Sequence, residues 1–183
     1  PNGARFSKRK QGFLPEILEN LYDERVLWKN KMIGYQKEFE STDDPKRKQE
    51  LNRQIAIAYN NQMVRKISLN SAYGAIGNEW FRYFELSLAE AVTSSGQLAI
   101  KWVEKAVNMY LNTILGTEDD YVVAIDTDSI YVRFDELIKK VNPKNPVDFL
   151  DQVANGKMQE VINKCYEDLA DYTNAYQNKM NMG

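Results

Sequence analysis

Apolar residues recur along the first part of the chain in alternating steps of three and four. Leu18, Leu21, Trp28, Met32, Tyr35 and Phe39 make one stripe, complete once Arg25 takes its place in it. The period predicts a helix from Pro15, a favoured first helical residue, to about Phe39. Residues 1–14, broken by Gly3 and Gly12, read as an extended or looped lead-in. Ser41-Thr42-Asp43-Asp44-Pro45 reads as a turn, with Asp44 as N-cap and Pro45 opening a second helix from about Lys46 to Ser71. Gly74, Gly77 and Asn78 are read as its breakers. Two helices of on the order of 35–40 Å, at 1.5 Å per residue, joined by a short polar turn make an antiparallel hairpin.

Beyond it, Trp80, Phe81, Tyr83 and Phe84 crowd the stretch Glu79–Glu85, which reads as strand or as tight core packing. A third helix is predicted over Leu86–Leu115, with Gly116 as its C′ residue. Two β-rich runs follow, Tyr121–Ile125 and Ile130–Phe134, with only Asp126-Thr127-Asp128-Ser129 between them, which predicts a β-hairpin. A short helix at Asp135–Lys140, a loop at Asn142–Pro146 and a last helix from Val147 to about Asn174 complete the pattern. The fold class is therefore α/β in the α+β sense, mostly helical. It has three parts: 1–14, the helical hairpin 15–78, and 79–183 with the β-hairpin.

Composition narrows the chemistry. The chain has 183 residues, 43% hydrophobic and 27% charged, enough for a sizeable core in one compact domain or two small ones. No apolar run of about 18 residues marks a membrane span. The basic start (Arg5, Lys8, Arg9, Lys10) lacks the apolar segment of a secretory signal. One cysteine, Cys165, excludes an internal disulfide and reads as a small buried apolar residue. Histidine is absent, which excludes Ser-His-Asp and Cys-His nucleophiles and the usual zinc sites within this chain. Carboxylates, cations and hydroxyls remain, and their natural cofactor is a hard, oxygen-binding cation. Residues 1–66 carry a net charge of +5 and residues 67–183 a net −7. That asymmetry fits a phosphate-facing half joined to a carboxylate-bearing half, or chance segregation on two solvated faces.

Asp126 and Asp128 stand two apart where two apolar strands meet. In extended chain, residues i and i+2 point to one side. Two carboxylates so held repel each other, and a divalent cation removes the conflict. Mg²⁺ accepts such oxygens and keeps positions open for substrate phosphates. The plain alternative is a turn that contains Asp and Ser because both form turns well.

The second helix carries a polar face. Gln62, Lys66, Asn70 and Tyr73 fall within an arc of about 80° at 100° per residue. A cation for phosphates, amides for edges and a flat ring for base or sugar are the parts of a nucleotide grip. Gly74 follows, and its missing side chain leaves room for a planar group. Arg25 and Lys29, one turn apart on the first helix, are placed to face the side of Lys66 and converge on a polyphosphate. The alternatives are a solvated helix face and cations snorkelling from an apolar surface.

Two strings together resemble one family. KISLNSAYGAIGN resembles the Lys-x-x-x-Asn-Ser-x-Tyr-Gly signature on the fingers helix of family B DNA polymerases. IDTDSIYV resembles that family's palm signature, Asp-Thr-Asp-Ser on a β-hairpin. They stand in the family's order, and GNEWFRYFEL with VDFLD resembles the T-even-phage branch. The resemblance covers essentially the whole chain. It implies a palm lead-in at 1–14, fingers at 15–78 and partial palm at 79–183. It implies that Lys66 binds the incoming triphosphate with Asn70 beside it, that Tyr73 packs near the nascent base pair, and that Gly74 gives room to the template base. Arg25 and Lys29 match, more loosely, the basic positions that reach for phosphates. Asp128 is implied as ligand of the catalytic metals, with Asp126 beside it. The implied reaction is two-metal transfer of a deoxynucleotide to a primer 3′-hydroxyl, with the fingers closing on the correct nucleotide.

Implied partners are primer–template DNA, a dNTP, Mg²⁺ and the remaining polymerase domains (exonuclease, rest of the palm, thumb), with no membrane, in the cytoplasm of the host cell. The family's other palm signature, Asp followed by Ser-Leu-Tyr-Pro-Ser, is missing, as is a Lys-Lys-Arg-Tyr type segment. The resemblance thus implies a piece of a longer or split enzyme, inactive alone, its metal site completed by a carboxylate outside this chain. Primer extension by the isolated 183-residue chain would contradict that. Two other readings stand beside it: a non-catalytic nucleic-acid-binding module with idle carboxylates, and a structural helical hairpin.

Overall fold

The computed structural model describes residues 2–182, and its contacts divide them into two compact units, 5–89 and 90–182 with 2–4. The first unit is built on α1 (Phe13–Ser41) and α2 (Pro45–Ile76). The predicted stripe on α1, Arg25 included, is the half-buried face, while the residues between, Ile33 excepted, are exposed. Ion pairs at matching heights, Arg65–Glu24 and Arg47–Glu38, both 2.6 Å, fix α1 and α2 antiparallel. Leu51 and Ala58 of α2 are wholly buried. The Arg65 guanidinium also lies 5.9 Å from the Trp28 ring centroid.

The helix ends differ from the sequence expectation in ways backbone chemistry explains. α1 starts at Phe13, two residues before Pro15. The first four N–H groups of a helix have no intrahelical acceptor, so a proline there loses nothing. Asp44 caps α2 as expected, its side chain accepting from Lys46 N at 3.0 Å, with Pro45 in the first position. Gly74 does not break α2, which runs on to Ile76 with Gly77 as C-cap. A helical glycine costs only about 1 kcal/mol relative to alanine, too little to stop a long helix.

Residues 79–85 form neither strand nor tight core. Phe81 N donates to Asn78 O at 2.9 Å, and Phe84 N to Phe81 O at 2.9 Å. These turns occupy backbone groups that a β-ladder would need. Trp80 is 88% exposed. α3 (Leu86–Leu115) has the predicted bounds and ends before Gly116, whose φ of +73° suits glycine at C′.

In the second unit Ala99, Val103, Val107 and Leu111 line one face of α3. They pack with Tyr121, Val122, Met158, Ile162, Cys165, Tyr166 and Leu169. The sheet has two antiparallel strands, β1 (Val122–Asp126) and β2 (Ser129–Val132), with a bulge between Val122 and Ala124. Tyr121, before β1, anchors the base of the hairpin. Its buried ring lies under the Arg133 guanidinium at 5.2 Å, and its hydroxyl donates to Glu136 at 3.1 Å. α4 (Asp135–Val141) follows and ends at Asn142, in the left-handed region at φ +48°.

The expected single last helix is a rod in three pieces. α5 (Pro146–Val153) passes through a π turn at Ala154–Met158 into α6 (Gln159–Tyr172). Inward positions explain the insertion: Val153 to Met158 is a step of five, then Ile162 follows after four. A π turn adds the extra residue and keeps both halves facing one core. Among the described residues no helix is long and apolar enough to cross a membrane.

Candidate active site

The acidic tip is tighter than the sequence implied. β1 ends on Asp126, which pairs with Ser129, so only Thr127 and Asp128 form the loop. The extended-chain argument for placing both carboxylates on one side therefore fails. Thr127 sits at φ +53°, which breaks the extension between them. A β-branched residue in that region stores on the order of 1–3 kcal/mol of strain. The Thr127 hydroxyl donates to Asp126 Oδ1 at 3.1 Å, which leaves Asp128 as the aspartate not tied to the threonine. Both aspartates are exposed.

Beside the tip lies a cavity of about 390 Å³, bounded by Asp128, by Gly96 and Ile100 of α3, by Tyr166 of α6, and by Met180 and Met182. Burial pushes the Tyr166 phenol above its ordinary value, with smaller contributions from Cys165 and Asp128. It therefore remains protonated next to the acidic tip at neutral pH. Sequence reasoning did not single out Tyr166 or Thr127. The signal for Tyr166 was its core register beside Cys165; for Thr127 it was a loop too short for an all-extended path. The tip offers only oxygen donors, the set a hard cation takes. Among the described residues no group of three or more His, Cys, Asp or Glu stands together to hold a metal.

Lys66, Asn70 and Tyr73 lie on an accessible face of α2 in the first unit. Gln62, expected on that face, is instead 8% exposed. It lies at the edge of the arc nearest the seam with α1, so packing claims it. A Cβ added to Gly74 would meet nothing within 4 Å. The backbone there is open to a flat ligand. Lys29 is exposed, whereas Arg25 is half-buried in the α1 stripe. Its Nε is buried without a hydrogen-bond partner. Arg65, overlooked in the sequence, pairs with Glu24 and also donates to Asn61 O at 3.0 Å. The structure thus groups Lys66, Asn70, Tyr73 and Gly74 on one helix, and Asp126 with Asp128 on one turn.

The sequence model of DNA polymerase family B matches residues 1–168, and the chain belongs to that family. The DNA-directed DNA polymerase of Enterobacteria phage T4 is 31% identical over the whole of this chain and 25% of its own length. That of Escherichia phage RB69 is 32% identical with the same coverage. The DNA polymerase delta catalytic subunit of Drosophila melanogaster is 34% identical over 70% of this chain and 10% of its own length. The chain spans about a quarter of the length of the two phage relatives.

Proposed function

We propose that this chain carries part of the polymerising site of a DNA-directed DNA polymerase of the phage type. One observation carries the reading: both family signatures sit on solvent-accessible elements. Lys66, Asn70 and Tyr73 share one face of α2, and the acidic turn opens on a cavity. Buried signatures would have spoken for packing alone.

In this reading Asp128 would hold Mg²⁺ at the tip, with Asp126 beside it and further ligands supplied from outside these residues. A divalent cation bound there would supply positive charge to the oxygens of the reacting groups. The primer 3′-hydroxyl gives up its proton to solvent as its oxygen bonds to the α-phosphorus of the dNTP, and the bond from that phosphorus to the bridging oxygen breaks, releasing pyrophosphate. Lys66 neutralises the triphosphate, with Lys29 and Arg25 as further phosphate cations. Asn70 contacts the nucleotide, Tyr73 offers its ring to the nascent pair, and Gly74 leaves space for the templating base.

The test is single-nucleotide incorporation by the whole protein that carries this chain, on primer–template DNA. The reading expects extension by the complementary dNTP only, and loss of extension when Mg²⁺ is chelated. Extension without a template, or undiminished in excess chelator, would contradict it.

A further inference from the structure

Tyr166 is a polar residue built into a core. It is 6% exposed and belongs to the second unit's core with Ile162 and Leu169. Its hydroxyl makes no hydrogen bond to any described residue, yet Tyr166 borders the cavity beside the acidic turn. A buried hydroxyl left without a partner is destabilising, so one that opens on a cavity points to a group that takes its bond. The Asp128 carboxylate borders the same cavity and likewise accepts no hydrogen bond from a described residue. Burial first, then Cys165 and Asp128, hold the Tyr166 phenol above its ordinary value, so it keeps a proton to donate. The cavity's other side-chain donors are less suited. The Thr127 hydroxyl is committed to Asp126 at 3.1 Å, and Ser129 and Asn181 are exposed to water.

We propose that Tyr166 is a positioning residue for Asp128. Its hydroxyl donates to one carboxylate oxygen, directly or through one water in the cavity, and leaves the other oxygen for the cation. Asp128 stands on a two-residue turn, where an unrestrained side chain samples several rotamers. The Tyr166 ring is already fixed by its core, so the bond has only the aspartate to order. Carboxylates that ligate metals are held by such outer hydrogen bonds, which set their orientation. Tyr166 has this role only where Asp128 is a metal ligand, so the assignment rests on the polymerase reading and adds to it the group that aims the ligand.

The test is Tyr166→Phe in the whole polymerase, a change that keeps the ring and removes only the hydroxyl. Two quantities are followed as Mg²⁺ is raised. One is single-turnover incorporation. The other is retention of a labelled complementary dNTP on a primer ended by a dideoxynucleotide, where no bond can form. The Mg²⁺ midpoint of both is expected to rise roughly tenfold. The rate at saturating Mg²⁺ is expected to stay within a few-fold of wild type, and the melting temperature to stay unchanged. A tyrosine that only packs would lower the melting temperature and leave the Mg²⁺ midpoint alone. That result would overturn the assignment, as would wild-type behaviour in all three measurements. Asp128→Asn, measured alongside, separates this role from the reading beneath it. Loss of dNTP retention in Asp128→Asn, with Tyr166→Phe matching wild type, removes the positioning role alone. A wild-type Mg²⁺ dependence in Asp128→Asn removes the metal reading, and the positioning role with it.

Discussion

At the scale of single residues, placement separates groups with similar chemistry. Lys66 is exposed on α2, whereas Arg65, its neighbour, is committed to Glu24 at 2.6 Å. Lys66→Ala should therefore leave the hairpin intact and lower kcat/KM for dNTPs, by a loss on the order of 2–5 kcal/mol if the contact is a desolvated charge pair. Steady-state kinetics of the whole polymerase would show this, with the melting temperature unchanged. Cys165 behaves as the sequence foretold, buried in the second unit's core. Burial, with a smaller push from Asp168, raises its thiol from an ordinary value of 9.0 to about 11. A raised folded-state value favours the neutral thiol. Its contribution to stability is thus complete below pH 9 and is lost as pH rises toward 11. Denaturant midpoints across that window should fall with pH, and less steeply in Cys165→Ala. What the sequence could not disclose at this scale was Thr127. Its φ of +53° follows from Asp126 pairing with Ser129, a register fixed by the strands rather than by the threonine.

At the scale of elements, periodicity was the reliable signal and single breakers were not. The α1 stripe emerged with Arg25 in place, and α3 kept its predicted bounds, because each repeats one burial pattern over many turns. Gly74 misled because a lone glycine cannot outweigh the cooperativity of a helix running from Pro45 to Ile76. The aromatic run 79–85 misled because composition alone does not say whether rings face inward. The rod from Pro146 to Tyr172 hid its π turn, legible only as the five-residue step from Val153 to Met158. Gly74 also yields a prediction in which stability and activity move in opposite directions. Gly74→Ala meets nothing within 4 Å and sits inside a helix, so it should stabilise the hairpin by about 1 kcal/mol. The same methyl group should impair incorporation if a template base lies against that backbone. Thermal melts and incorporation assays on one variant decide both, and unimpaired incorporation would remove Gly74 from the site.

At the scale of the whole molecule, the charge asymmetry seen along the chain survives folding. Unit 5–89 carries a net +4, and the rest of the chain a net −6. One unit supplies cations and open rings, the other an oxygen-donor tip beside a cavity. Family membership and the order of its two signatures were legible in the sequence. The residues that support the tip, Tyr166 and Thr127, were not, since their part depends on a tertiary core and on a turn geometry that no motif records. The central claim is that Asp128 serves chemistry rather than turn formation. It is tested most directly by Asp128→Asn in the whole polymerase, measured as single-turnover incorporation with Mg²⁺ alongside thermal unfolding. The account predicts loss of incorporation by at least about a thousandfold, roughly 4 kcal/mol of transition-state stabilisation, with an unchanged melting temperature. Incorporation within a few-fold of wild type, in a variant that folds as well, would contradict it.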